Sequence, residues 1–286
     1  MIQRSTIQLL RFHFSFFLMP VYWYALSQVV KPDAFRAILI FFILHLLIYP
    51  SSNGFNSYMD RDEGSIGGVK SPLPPTRQLL YVSLAMDITA ILLGFLISIS
   101  FVLAAVGYIL ASRAYSARTI RLKKYPFWGY LTVVVCQGAL VFFMVYHGSH
   151  PSLSLRVPIL GMVSASLLIG GFYPLTQIYQ HEADAKDGVR TISSVLGIRG
   201  TFIFCGSVYL IAFFVLAFFL IVSLEIKEFL IFSTCMLPVL VYFIRWAVRV
   251  WRNPASADFL HTMRMNTIAS VCTSLGFILV FLMQYL

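Results

Sequence analysis

Nine apolar stretches follow one another along the chain, separated by short polar segments. A membrane-crossing helix takes about 20 mostly apolar residues. On that rule the stretches are residues 12–30, 37–56, 78–97, 99–118, 126–147, 157–179, 201–224, 229–250 and 266–286. The boundary between the third and fourth is the least marked. Residues 78–112 hold a single acidic residue, Asp87, and are expected to form a tight hairpin of two helices. No short repeat or low-complexity linker interrupts the pattern. It predicts an all-α polytopic membrane bundle of about nine transmembrane helices, forming one domain over residues 1–286.

Composition agrees with a bilayer as the solvent. The chain is 59% hydrophobic and only 11% charged, with 26 phenylalanines among its 286 residues, whereas a soluble domain carries about 25% charged residues. The net charge of +10 does not indicate nucleic acid, because the basic residues lie in short loops between apolar spans. That placement fits membrane topology and contact with anionic lipid headgroups. With the N-terminus placed in the cytosol, 17 of the 21 lysines and arginines fall on the inside and 4 on the outside. The asymmetry predicts a cytosolic N-terminus and an outer C-terminus. Arg4 and Arg11 precede an apolar run with no small-residue cleavage site, so a retained first span is expected. Trp128, Trp246 and Trp251 fall near inner span ends and suit an interfacial belt. Cys136, Cys205, Cys235 and Cys272 each sit in an apolar run and form no CxxC pair, which predicts buried thiols and neither a disulfide framework nor a zinc site.

Six of the eleven acidic residues are concentrated in two places, Asp60, Asp62 and Glu63, then Glu182, Asp184 and Asp187. The others, Asp33, Asp87, Glu225, Glu228 and Asp258, are scattered. Both clusters follow an apolar span and lie on the expected cytosolic side. Asn56 and Asp60 are four residues apart, as are Gln180 and Asp184, so each pair shares a face if its helix continues that far. Short rows of hard oxygen donors on neighbouring helices suit Mg²⁺ that also binds substrate phosphates. Basic residues surround the acids. Arg61, Lys70 and Arg77 follow the first cluster, Lys186 and Arg190 lie in and after the second, and Arg113, Arg118, Arg121, Lys123 and Lys124 occupy the loop after the fourth span. Arg61, Lys70, Lys123, Lys186 and Arg190 are the candidates to clamp phosphate oxygens. Gly64–Pro75 reads as a flexible, then stiff, segment that either closes over a site or forms an ordinary turn.

These residues resemble the UbiA superfamily of intramembrane prenyltransferases over the whole length of the chain. The family's Asn-x-x-x-Asp-x-x-x-Asp motif aligns with Asn56, Asp60 and Gly64, and its Asp-x-x-x-Asp motif with Gln180 and Asp184, followed by Gly188, Thr191 and Leu196-Gly197. Lys70-Ser-Pro72 resembles the basic segment after the first motif, and Tyr115-Ser116 with the basic run 121–124 resembles a Tyr-Ser-x-x-Lys segment. Gly64 and Gln180 stand where the family has Asp. The neighbouring carboxylates Asp62 or Glu63, and Glu182 or Asp187, are the expected substitutes.

The resemblance implies Mg²⁺-dependent transfer of a prenyl group from a polyprenyl diphosphate to an aromatic or other lipophilic acceptor within the membrane. It implies Asn56, Asp60 and Asp184 as catalytic residues and Asn56, Asp60, Asp62, Glu182, Asp184 and Asp187 as the Mg²⁺-binding set. Tyr58, Tyr115, Tyr173 and Tyr179 are candidates to offer π faces to an allylic carbocation. Asp87, ionisable within a span, is a candidate for helix pairing or acceptor contact. The expected setting is the cell (inner) membrane, with the site facing the cytoplasm. Two other readings stand beside this one. A UbiA-like protein could bind prenyl lipids without turnover, and a transporter of an anionic or lipidic solute would need ionisable residues deep in several spans, where only Asp87 qualifies.

Overall fold

The computed structural model describes residues 2–223 and 226–285, so Glu225 lies outside the described residues. It is an all-helical membrane bundle. Two short helices, α1 (Arg4–Leu10) and α2 (Met19–Ser27), are followed by eight long ones. These are α3 (Ala34–Asp60), α4 (Arg77–Gly94), α5 (Ile99–Ser116), α6 (Pro126–Ser149), α7 (Ile159–Lys186), α8 (Ile192–Val222), α9 (Ile226–Arg252) and α10 (Phe259–Met283). Each of the eight is long and apolar enough to cross a membrane.

The expected first span, 12–30, is not one continuous helix. Arg11 adopts a left-handed conformation (φ 49°, ψ 48°) and ends α1, and Phe12–Leu18 forms 3₁₀ turns. This stretch is rich in aromatic residues, which are mediocre helix formers. Pro20 then sits in the first turn of α2, where a missing N–H costs nothing.

The long helices adjacent in sequence pack as neighbours, and α10 returns onto α2. The buried core is aromatic where they meet: Tyr24 stacks on Phe277, which stacks on Phe232. Phe35, Ile38, Ile88, Leu92, Leu103, Ile203 and Phe214 are each more than half exposed on the outside of the bundle. Only lipid makes that surface favourable. Trp128 and Trp251 are exposed, but Trp246 is buried against Phe202, with its Nε1–H donating to the Ser256 carbonyl at 2.8 Å. It belongs to the core and not to an interfacial belt. The four cysteines are free thiols, with Cys205 fully buried.

The helices carry local irregularities that matter for the site. Turns of π-helix occur at Ile43–Ile48 in α3 and Val135–Leu140 in α6. Within α7, Tyr173–Gln180 is wound as 3₁₀ helix before a last α-helical turn, His181–Lys186. Gly138, in the π turn of α6, lies against the α7 backbone, where an added Cβ would stand 2.4 Å from the Ser166 Cα. Small residues let membrane helices approach this closely. Gly138→Ala is expected to separate α6 from α7 and lower stability by about 1–3 kcal/mol, read as a lower Tm in detergent; an unchanged Tm contradicts that packing.

Candidate functional site

One end of the bundle opens into a cavity of about 1180 Å³. It is lined by Arg11 and Phe14, the end of α3 and the loop after it, the end of α5, the middle of α6, the end of α7 and residues 254–259. The other end is closed by loops: the Asp33 N–H donates to the Ser149 carbonyl at 2.8 Å, and Arg36 Nη2 reaches the Pro151 carbonyl at 3.1 Å.

The first acidic segment is presented by the way α3 stops. Arg61 takes a left-handed conformation (φ 56°, ψ 42°) and its N–H bonds to the Ser57 carbonyl. Asn56 and Asp60 therefore occupy the last turn, one above the other, and both line the cavity. Asn56 Nδ2 donates to Ser116 Oγ at 3.0 Å, tying α3 to α5. The Asp60 side chain is only 4% exposed; Lys123 Nζ lies 2.5 Å from its Oδ2 and Arg121 Nη2 3.7 Å from its Oδ1. Arg121 also binds the Asp187 carboxylate, so one guanidinium connects the two acidic segments. Crowding by the surrounding protein, and then the charge of Asp60, push the Asp62 carboxyl above the usual carboxylate range.

The second segment enters on the 3₁₀ stretch of α7. Gln180 Nε2 donates to the Ser65 carbonyl at 3.2 Å, holding the loop after α3 against α7. Glu182, Asp184, Lys186 and Asp187 follow on the last turn and its end, and all line the cavity. Tyr115, Tyr173 and Tyr179 line it as well. The hydroxyls of Tyr115 and Tyr173 hydrogen-bond to one another, and Tyr179 packs edge-on against Phe259.

Four residues singled out in the sequence lie elsewhere. Tyr58 packs with a satellite cluster of Leu9, Leu10, Ile66, Val69 and Leu79. Its position explains this: two residues from both Asn56 and Asp60, it points about 200° away around the helix. Asp87 is buried and forms an ion pair with Arg113, while Ser51 Oγ donates to its Oδ1 at 2.5 Å. It pairs α3, α4 and α5 and does not touch the cavity. Lys70 and Arg190 are exposed and outside the lining.

Arg11 is a cavity residue that sequence reasoning missed, having been counted only as an orientation charge. It is 6% exposed, its Nη2 donates to the Asn53 carbonyl at 3.2 Å, and its Nε is buried without a hydrogen-bond partner. The loop facing it is shaped around the same N-terminal segment. Gly68 has φ +82°, and a Cβ there would stand 2.4 Å from His13 Nε2. The available signal was an arginine at the threshold of an apolar run.

The donor set fits Mg²⁺ with a phosphate ester. Among the described residues no three His, Cys, Asp or Glu side chains converge to hold an ion unaided. Mg²⁺ keeps several waters and takes one or two carboxylates plus substrate phosphates. Asp60 Oδ1 is buried with no hydrogen-bond partner, its nearest cation being Arg121 at 3.7 Å, and Asp60 and Asp184 both line the cavity.

The sequence profile of the UbiA prenyltransferase family matches residues 15–268. The bacteriochlorophyll synthase 33 kDa chain of Cereibacter sphaeroides is 29% identical over 159 residues, which are 53% of this chain and 51% of that one. The chain therefore spans about half the length of this curated relative. Among solved structures, a UbiA homologue from Archaeoglobus fulgidus bound to DMAPP and Mg²⁺ superposes with a TM-score of 0.69 at 19% identity, over 96% of this chain and 99% of that one. The apo structure of a UbiA homologue from Aeropyrum pernix K1 gives 0.67 at 17% identity, over 93% and 97%. At these identities the likeness is one of fold.

Proposed function

The chain belongs to the UbiA prenyltransferase family, and from that premise we propose that it transfers a prenyl group from a polyprenyl diphosphate to a lipophilic acceptor, with Mg²⁺ as cofactor. The observation that carries the reading is the single cavity into which both acidic segments and the basic residues Arg11, Arg61, Lys123 and Lys186 project. A diphosphate needs both signs of charge around it: hard oxygens to hold its metal and basic side chains to meet its own oxygens.

Asn56, Asp60, Asp62, Glu182, Asp184 and Asp187 are the residues proposed to hold Mg²⁺. The ion supplies Lewis-acid stabilisation of the leaving diphosphate. Lys123, Arg121 and Arg11 stabilise the same developing charge from the protein side. The C1–O bond of the donor breaks with its electron pair on the diphosphate, the acceptor atom bonds to C1, and the acceptor's proton leaves through the wet mouth. Tyr115, Tyr173 and Tyr179 offer π faces to the cationic carbon. We place the protein in the cell (inner) membrane as a multi-pass protein, with the cavity mouth on the cytoplasmic side, from the excess of basic residues at that end.

The test uses the full chain in lipid nanodiscs with geranylgeranyl diphosphate, Mg²⁺ and a lipid extract as acceptor source. Release of inorganic diphosphate together with a new prenylated species in the mass spectrum is the expected result. Chelation with EDTA should lower release at least ~100-fold, and added Mg²⁺ should restore it. An undiminished rate after chelation removes the metal from the reading, and an intact donor with every acceptor removes the reading itself.

A further inference from the structure

Outside the two acidic segments, one more carboxylate lines the cavity, and it is held without a cation. Asp258 caps α10, its Oδ1 accepting from the His261 backbone N–H at 2.7 Å, and it belongs to the lining segment 254–259. The next residue, Phe259, packs edge-on against Tyr179, which has Asp62 and Asp184 within electrostatic reach. The His261 ring braces the carboxylate. Its Nδ1 lies 2.9 Å from both Oδ1 and Oδ2, and Arg249 Nη1, on α9, lies 2.8 Å from its Nε2. A guanidinium only donates. The ring proton therefore sits on Nδ1, directed at Asp258, and the imidazole is neutral. The Asp258 side chain is 43% exposed and lines the cavity, so it is fixed in place and yet open to a ligand.

We propose that Asp258 is a catalytic residue that takes the proton the prenyl acceptor loses. The inference rests on the prenyl-transfer reading for the reaction itself. Seven carboxylates line the cavity. Five of them, Asp60, Asp62, Glu182, Asp184 and Asp187, are proposed to hold Mg²⁺, and a carboxylate beside a cation loses affinity for a proton. Glu63 is exposed, and among the described residues no hydrogen bond orients its side chain. Asp258 is fixed by neutral N–H donors, with no lysine or arginine paired to it among the described residues. The step balances as follows. The C1–O bond breaks with its electron pair on the diphosphate, and an electron pair of the acceptor forms the new bond to C1. The pair of the acceptor's broken bond to hydrogen stays on the acceptor, and the proton passes to Asp258 Oδ2. Water at the mouth then receives it. A positioned base of this kind is worth about 10²–10⁴-fold.

The experiment uses the full chain in lipid nanodiscs with geranylgeranyl diphosphate, Mg²⁺ and a lipid extract as acceptor source. Prenylated product, prenyl alcohol and inorganic diphosphate are measured separately. Asparagine caps a helix as well as aspartate does, so Asp258→Asn keeps the cap and removes the base. It should lower prenylated product at least ~100-fold, with the KM for geranylgeranyl diphosphate and the Mg²⁺ requirement unchanged. In Asp258→Ala, added formate should restore product at least ~10-fold and chloride at the same concentration should not, a rescue that a merely structural role would not show. Undiminished product in a folded Asp258→Asn protein overturns the proposal, as does an Asp258→Ala protein that formate fails to rescue. A raised Mg²⁺ requirement in Asp258→Asn overturns it too, by assigning this carboxylate to the metal. Should Asp258→Asn not fold, the formate comparison decides. An uncleaved donor in the wild type counts against prenyl transfer itself. Product formed equally by wild type and Asp258→Asn, or wild-type cleavage that yields only prenyl alcohol, counts against the role of Asp258 alone.

Discussion

Asp60→Asn and Asp184→Asn should each lower the rate of diphosphate release about 100- to 1000-fold. Both changes keep the size of the side chain and remove its charge. Asp60 is the more informative position, because its carboxylate is nearly buried and its Oδ1 lacks a donor. An amide there places a neutral oxygen or an N–H where the proposed mechanism needs an anion for Mg²⁺. It also leaves Lys123 and Arg121 facing a neutral group, so donor binding should change less than turnover. The loss should appear mainly in kcat, with the Mg²⁺ concentration for half-maximal rate raised. Circular dichroism and Tm of the variants separate loss of chemistry from loss of fold. Wild-type turnover in a folded Asp60→Asn protein would contradict the assignment of this carboxylate.

Asp87→Leu should cost about 3–5 kcal/mol of stability, the range for removing one partner of a buried ion pair. The side chains of Asp87 and Arg113 are 8% and 15% exposed, and Arg113 also donates to Ser51 Oγ at 2.6 Å and lies 4.2 Å over the Phe55 ring. Removing Asp87 leaves a guanidinium inside the bundle with the Ser51 hydroxyl and carbonyl and an aromatic face as neutral partners. Replacing both residues with leucine removes the uncompensated charge and should recover most of the loss. Tm in detergent for the two single variants and the double variant checks this. An Asp87→Leu protein as stable as the wild type, or a double variant no better than either single one, rules out the pair as the brace between α3, α4 and α5.

The fold was legible because membrane spans announce themselves by length and apolarity alone. The expected hairpin of 78–97 and 99–118 is found as Arg77–Gly94 and Ile99–Ser116. The break at Arg11 was not legible, because a left-handed arginine depends on tertiary partners, here the Asn53 and Gly67 carbonyls. Within the site, the helical period marked Asn56 and Asp60 as companions. The same period places Tyr58 on the opposite face, an argument available from the spacing but not drawn from it. Gln180 and Asp184 share the cavity although the 3₁₀ winding before them departs from the assumed α-helix. The partners of the carboxylates could not be read at all. Arg121 meets Asp60 and Asp187 across 61 and 66 residues of chain, and nothing in the three basic residues of 121–124 says which of them turn inward.

The double grip of Arg121 has a thermodynamic consequence for the proposed reaction. In the free protein Asp60 and Asp187 already have cationic partners, so a divalent ion arriving alone competes with Arg121 and Lys123 for the same oxygens. When the ion arrives with a diphosphate, each displaced cation finds a phosphate oxygen in exchange, and the number of charge pairs is kept. On the proposed reaction, metal and donor would raise each other's affinity by the same factor. Such a cavity would load metal poorly until the prenyl diphosphate is present, its charged lining admitting the two ligands together.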